Sequence, residues 1–162
     1  GHANLTVRDI TAKECTDPIQ ISNTANLSLS NVRVIDHHGK GYPVRITDCR
    51  GVFVRDVFIE NTDHKGPAML IENCDRTVVD GVTLSGKNSN LGVGVCFRVD
   101  DGQAYSGLRM SNVFAPDVTD AGIVLDVARK KGTLSDYLIS GNIAKVQDRI
   151  RGSRPVIANN LP

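Results

Sequence analysis

Apolar and polar residues alternate along this chain in short bursts, and the bursts recur. Asn26 to Arg50 reads NLSLSNVRVIDHHGKGYPVRITDCR, and Gly51 to Asp75 reads GVFVRDVFIENTDHKGPAMLIENCD. The two segments align at a shift of 25 residues with no gap. Leu27 meets Val52, Leu29 meets Val54, Val32 meets Val57 and Val34 meets Ile59. Further on, Val44 meets Met69, Ile46 meets Ile71, Gly41 meets Gly66 and Cys49 meets Cys74. Alternation with a period of two puts one face inward and one outward, which is the pattern of a strand. The runs are too short, and too rich in Val, Ile and Thr, to be helices.

The pattern extends in both directions. Asn4 to Ala25 fits at a shift of 22, with Leu5, Val7, Ile10 and Ala12 in the same apolar slots. Beyond Arg76, Val79, Val82 and Leu84 continue it, followed by a small insertion and then Phe97 and Val99. Leu108, Met110, Val113, Ala115, Ile123 and Leu125 supply the next coil. From Thr133 the fit is least regular and offers Ile139, Ile143 and Val156 as apolar positions. The frame there can be drawn through Gly141 or through Asn142.

Each coil contains three such runs, and a turn residue separates the first two: Asp9, Asn31, Asp56, Gly81 and Asn112. These residue types tolerate a left-handed backbone and bond to their own chain. The expected fold is all-β: a single-stranded right-handed parallel β-helix of about six coils, each of roughly 22–31 residues with three short strands. Each strand then pairs with its equivalent one coil up, about 4.8 Å away. Inward side chains stack in ladders, and each one buried stabilises by roughly 1.5–3 kcal/mol. A leucine-rich repeat would need its own leucine frame and a helix per repeat, and a β-sandwich would not hold an ungapped period of 25.

Composition changes this picture little. Of 162 residues, 40% are hydrophobic and 23% charged, which suits one globular domain. With 19 basic and 18 acidic residues the net charge is +1, so no global field points to nucleic acid or membrane. No apolar run reaches the length of a membrane-spanning helix. Gly1-His2 reads as a remnant of tag removal, leaving residues 3–162 as one β-helix domain. That domain begins its first coil at once, without a cap, and so reads as part of a longer helix. The four cysteines have no C-x-x-C spacing. Cys49 and Cys74 share a coil position, within disulfide range, although in-register stacking favours free thiols.

The frames Asn4–Ile10 and Asn26–Val34 resemble those of the pectate-lyase-like superfamily of right-handed parallel β-helix proteins. The resemblance covers residues 4 to about 160. It implies a setting among secreted or surface polysaccharide lyases, glycoside hydrolases and phage tailspikes, hence an extracellular, cell-surface or virion location. It also implies a polysaccharide partner and a homo-oligomer, as a trimer or by end-to-end association. Catalytic signatures of that superfamily are missing. Asn61-Thr62-Asp63 and Asp100-Asp101 match the opening of the polygalacturonase pattern, but no G-H-G or R-I-K follows. The chain has no Trp for the W-x-D-H signature of pectate lyases.

From the residues themselves, the candidate chemistry is a polar edge after the second run. Glu14 should stack under Asp36, Asp36 under Asn61, His38 under Asp63, and Lys40 under Lys65. Stacked carboxylates about 5 Å apart match the spacing of retaining glycosidases. Glu14, Asp36 and Asp63 are therefore candidate catalytic carboxylates, and His38 and His64 candidate proton carriers. Lys40 and Lys65, with the outward rings Phe58 and Phe114, are candidate substrate contacts. Polar residues are equally expected on any solvated loop edge. Phe53, Val78 and Leu70 should also point outward, where they would meet sugar rings, a second subunit or a covering loop. The stretch 129–154 holds seven basic residues against two acidic and would suit an anionic polymer. No cofactor or metal is expected. The expected function is binding, and cleavage by a hydrolase or lyase, of a polysaccharide. The competing class is a structural spacer or oligomerisation segment with no site, which the absence of Trp and the 3 Tyr favour.

Overall fold

A computed structural model describes residues 2–85, 91–100, 102–127, 132–148, 156–158 and 160. The described residues form an all-β parallel solenoid with no helix. One sheet of eight strands and one of six run along it. The larger holds Thr6–Lys13, Thr24–Ile35, Arg50–Glu60, Asp75–Ser85, Arg109–Phe114, Leu138–Ser140 and Val156–Ala158, with His2–Ala3 beside Thr24 and Ala25. The smaller holds Ile19–Ser22, Val44–Thr47, Pro67–Glu72, Val93–Arg98, Ala121–Asp126 and Val146–Asp148. Five rises therefore separate its first strand from its last.

The registers are those that the 25-residue shift requires. Leu27 pairs with Val52, Val32 with Val57 and Val34 with Ile59. Val44 pairs with Met69 and Ile46 with Ile71. The shift of 22 also holds, since Val7 pairs with Leu29 and Ile10 with Val32. Inward residues form one continuous core from Ile19 to Ala144. Leu5, Val7 and Ile10 lie half-buried against it.

The first two runs of each coil hydrogen-bond as one strand, bent at its turn residue. Asp9, Asp56 and Asn112 sit at φ between 53° and 58°, and Asn31 at 50°. Gly81 and Gly141 take the same corner in their coils. Such a left-handed residue turns the chain without breaking the ladder on either side, and Asn, Asp and Gly accept that conformation most readily. Three further corners work alike: Asn4 and Asn26; Glu14, Asp36 and Asn61; and Asn23, Asp48 and Asn73.

Acids and amides alternate at two of these corners, Asp9–Asn31–Asp56 and Asn23–Asp48–Asn73, whereas Asn26 stacks on Asn4 and Asp36 on Glu14. Asn31 Nδ2 donates to Asp9 Oδ1 at 2.7 Å, and Asp56 stands one coil above Asn31. Asn61 Nδ2 donates to Asp36 Oδ1 at 3.0 Å, and Asn73 Nδ2 to Asp100 Oδ2 at 2.9 Å. An amide between two acids supplies a donor and keeps carboxylates from stacking at the strand spacing.

The least regular coil resolves through Gly141, whose φ is 66°. Ile143 consequently does not face the core: it is 44% exposed and pairs with Phe114 on the outside. Asn142 takes the inner slot instead. Its Oδ1 accepts from the Val113 amide at 2.8 Å, and its Nδ2 donates to Ser140 O at 3.1 Å. A buried amide is tolerated there because backbone groups satisfy it. Of the basic stretch, Arg129, Lys130, Lys131, Arg149, Arg151 and Arg154 lie outside the described residues, as does Asp101.

Candidate functional site

The polar edge is built by one corner, repeated in three coils, and the chain that follows it. Glu14 and Asp36 are corner residues with φ of 54°, and Asn61 follows at 53°. The Asp36 carboxylate accepts from the Asn61 side chain, so its first role is in the corner ladder. One step on, His38 and Asp63 form a parallel bridge, the stacking expected of them. His38 Nδ1 donates to Asp36 O at 3.2 Å. Glu14, His38, Asp63, Lys40 and Lys65 are exposed.

Two histidines lie beneath this edge. His37 and His64 are buried, with ring centroids 5.8 Å apart in an edge-to-face arrangement. Tyr42 packs on His64 at 5.3 Å. Absence of a side chain at Gly66 makes room for this, since a Cβ there would lie 2.4 Å from His64 Nε2. His37 Nε2 donates to Thr16 O at 2.6 Å, while His37 Nδ1 and His64 Nε2 have no hydrogen-bond partner among the described residues. Burial holds both rings below the usual histidine pKa, His64 further lowered by His37, against the opposing pull of Asp17. A ring kept neutral under a corner is a packing element first. Among the five candidate catalytic residues, then, His64 is inside and the other four are on the surface or in the corner. Among the described residues no group of three or more His, Cys, Asp or Glu could hold a metal ion.

The second candidate surface is the outer face of the larger sheet, past the bend. Its central outward ladder runs Thr11, Arg33, Phe58, Thr83, Phe114, Ile143, one residue per coil. Phe58 and Phe114 are each 41% exposed, and two rises of the strand spacing put them about 10 Å apart. Phe53 is exposed on the same sheet before the bend, with half-buried Val78 above it. Asp9, Ile10, Thr11, Asn31, Arg33 and Phe58 line a shallow groove of about 330 Å³. Arg33 Nε donates to Glu60 Oε1 at 2.8 Å, which leaves the groove wall polar but without a net charge from this pair.

The outer face of the smaller sheet is different, and alternation alone misjudges it. Leu70 points outward by register, yet it is buried with Cys96, Ala121 and Val124, and Tyr42 and Val93 pack against this cluster. The same face holds an ion-pair chain: Arg45 to Glu72 at 3.1 Å, Arg98 to Glu72 at 3.3 Å and Arg98 to Asp126 at 3.5 Å. The sequence signal for it is Arg45, Glu72, Arg98 and Asp126 at outward positions of four successive coils. The apolar centre of this face is buried, whereas the larger sheet keeps Phe53, Phe58 and Phe114 exposed.

Comparison with family models, with curated proteins and with solved structures finds no match to the chain.

Proposed function

We propose that this solenoid is the polysaccharide-binding part of an extracellular, cell-surface or virion protein of the pectate-lyase-like kind. The polymer lies along the solenoid axis on the outer face of the larger sheet. The observation that carries this reading is the pair Phe58 and Phe114. Two exposed rings stand in one ladder, about 10 Å apart, with the polar groove of Asp9, Asn31 and Arg33 leading to the first. Exposed aromatic faces stack on the apolar faces of sugar rings and shed water in doing so. Asp9, Arg33 and Glu60 offer donors and acceptors to hydroxyl groups. The Arg33–Glu60 pair is already neutralised, so stacking and hydrogen bonds dominate, and binding depends little on salt.

Hydrolysis or lyase chemistry at Glu14, Asp36, His38, Asp63 and His64 has less support. Asp36 is engaged in a corner ladder and His64 is buried. A second reading rests on the same face: Phe58, Thr83, Phe114 and Ile143 form a line rich in apolar surface that a second copy of the chain would cover, as in a trimer.

Affinity electrophoresis through gels cast with neutral and acidic polysaccharides tests the proposal. At least one polymer should retard the protein, and Phe58→Ala with Phe114→Ala should abolish the retardation while the circular dichroism stays unchanged. Retardation by none, with sedimentation showing an oligomer that the double variant dissociates, would overturn it in favour of the subunit contact.

A further inference from the structure

Cys49 and Cys74 occupy equivalent positions in successive coils, each separated by one corner residue, Asp48 or Asn73, from the strands Val44–Thr47 and Pro67–Glu72. The chain is paired on both sides of them. Arg50 pairs with Asp75, and the Asp75 amide donates to Cys49 O at 3.0 Å. Their Cα atoms are thus held at about the strand spacing of 4.8 Å, inside the range that a disulfide bridges. Both are buried and both are free thiols. The sulfurs are not independent. Each thiol donates to the carbonyl two residues before it, Cys49 Sγ to Thr47 O at 3.2 Å and Cys74 Sγ to Glu72 O at 3.3 Å, and Cys74 Sγ also lies 3.8 Å from Ile46 O in the coil that holds Cys49. The Cys74 thiol donates to Cys49, which pulls the Cys49 pKa down to about 7 against the opposing effect of burial. The same pairing, with burial, pushes the Cys74 pKa up. A dithiol coupled in this direction ionises first at Cys49, and the thiolate is its nucleophilic form.

The two thiols differ in access. Cys49 lines a shallow groove of about 370 Å³ with Arg50, Asn73 and Tyr105, whereas Cys74 is fully enclosed.

We infer that Cys49 and Cys74 form a reversible redox site that staples two successive coils by a disulfide, with Cys49 as the attacking thiol. The oxidant is a small disulfide such as oxidised glutathione. Cys49 thiolate attacks one of its sulfurs, the S–S bond breaks, and one glutathione thiolate leaves. Cys74 gives its proton to that thiolate and attacks the Cys49 sulfur, expelling the second glutathione. The protein loses two electrons to the small disulfide; one proton passes from Cys74 to the first glutathione, and the second glutathione leaves as a thiolate that takes from solvent the proton Cys49 released on ionising. The staple closes a loop of about 25 residues, and the loss of chain entropy in the unfolded state should raise the melting temperature by about 10 °C.

The full chain is equilibrated across a series of reduced and oxidised glutathione, its remaining thiols are alkylated, and peptides are mapped by mass spectrometry. The expected result is a Cys49–Cys74 linked peptide at oxidising ratios, with Cys15 and Cys96 still alkylated and the melting temperature raised. Cys74→Ala, which removes both the resolving thiol and the donor, should trap Cys49 as a stable glutathione mixed disulfide when oxidised and slow its alkylation at neutral pH when reduced. Alkylation of Cys49 and Cys74 at every ratio would overturn the proposal. So would a Cys49 alkylation rate, in the wild-type chain, that rises only near the pH of an ordinary thiol, a readout that does not depend on the variant folding.

Discussion

Asn31→Asp is the sharpest probe of how the coils are held in register. Asn31 stands between Asp9 and Asp56 at the bend, and its amide donates to Asp9 at 2.7 Å. The substitution keeps a residue that accepts a left-handed backbone, so φ near 50° adds little strain. It removes one hydrogen bond, a loss of roughly 0.5–1 kcal/mol at an exposed site. It also stacks three carboxylates at the strand spacing. Two repulsions at about 5 Å in water contribute about 0.8 kcal/mol each. The total is about 2 kcal/mol at neutral pH and low salt. The repulsive part should fall away in 1 M salt, where the screening length is about 3 Å, and again in acid, where the carboxylates protonate. Urea denaturation followed by far-ultraviolet circular dichroism measures it. Asn31→Gly, which keeps the corner and loses only the amide, should cost less than half as much. A loss that is the same in low and high salt, or an Asn31→Asp variant as stable as wild type, would refute the alternating ladder.

The histidines under the polar edge make stability depend on pH. His37 and His64 are held below their ordinary pKa by burial, with His37 and His38 adding to the effect and Asp17 opposing it. The unfolded chain therefore binds more protons below about pH 6.5. Stability should be full above that pH and fall below it, by at most about 1.4 kcal/mol per pH unit for each histidine, and a urea midpoint that stays flat from pH 8 to 5 would contradict this. Ile59→Ala, in the middle of the fully buried ladder Val34–Ile59–Leu84, should cost about 2–5 kcal/mol by urea denaturation. Gly94→Ala should destabilise on the same scale as a core defect, because its Cβ would lie 2.4 Å from Gly122 O, and the same denaturation assay reads it.

Why some of this is legible in the sequence, and some not, has a physical basis. A parallel solenoid repeats its pairings at a fixed interval, so the interval between Leu27 and Val52 in the sequence is also a register in space. The corner between the first two runs shows itself through Asp9, Asn31 and Asp56, residue types that few other places require. The corner at Glu14, Asp36 and Asn61 does not announce itself in this way, and its stacked acids resemble a catalytic pair instead. Glutamate is rarely left-handed, which hides the ladder. Ile143 reads as an inward residue because it is apolar, but Gly141 takes the bend and shifts the frame by one residue. In a strand a shift of one reverses the face, so Asn142 enters the core and Ile143 leaves it. Leu70 shows the other limit. Alternation says which way a side chain points, and it says nothing of what covers that side.

The most direct test of the binding face is a chemical-shift map. The protein, labelled with ¹³C and ¹⁵N, is titrated with short fragments of a polysaccharide that retards it in gels. Binding along the open face of the larger sheet predicts perturbations along Thr11, Arg33, Phe58, Thr83 and Phe114, unchanged in high salt. Perturbations confined to Glu14, His38, Lys40, Asp63 and Lys65 would contradict it and return the site to the polar edge.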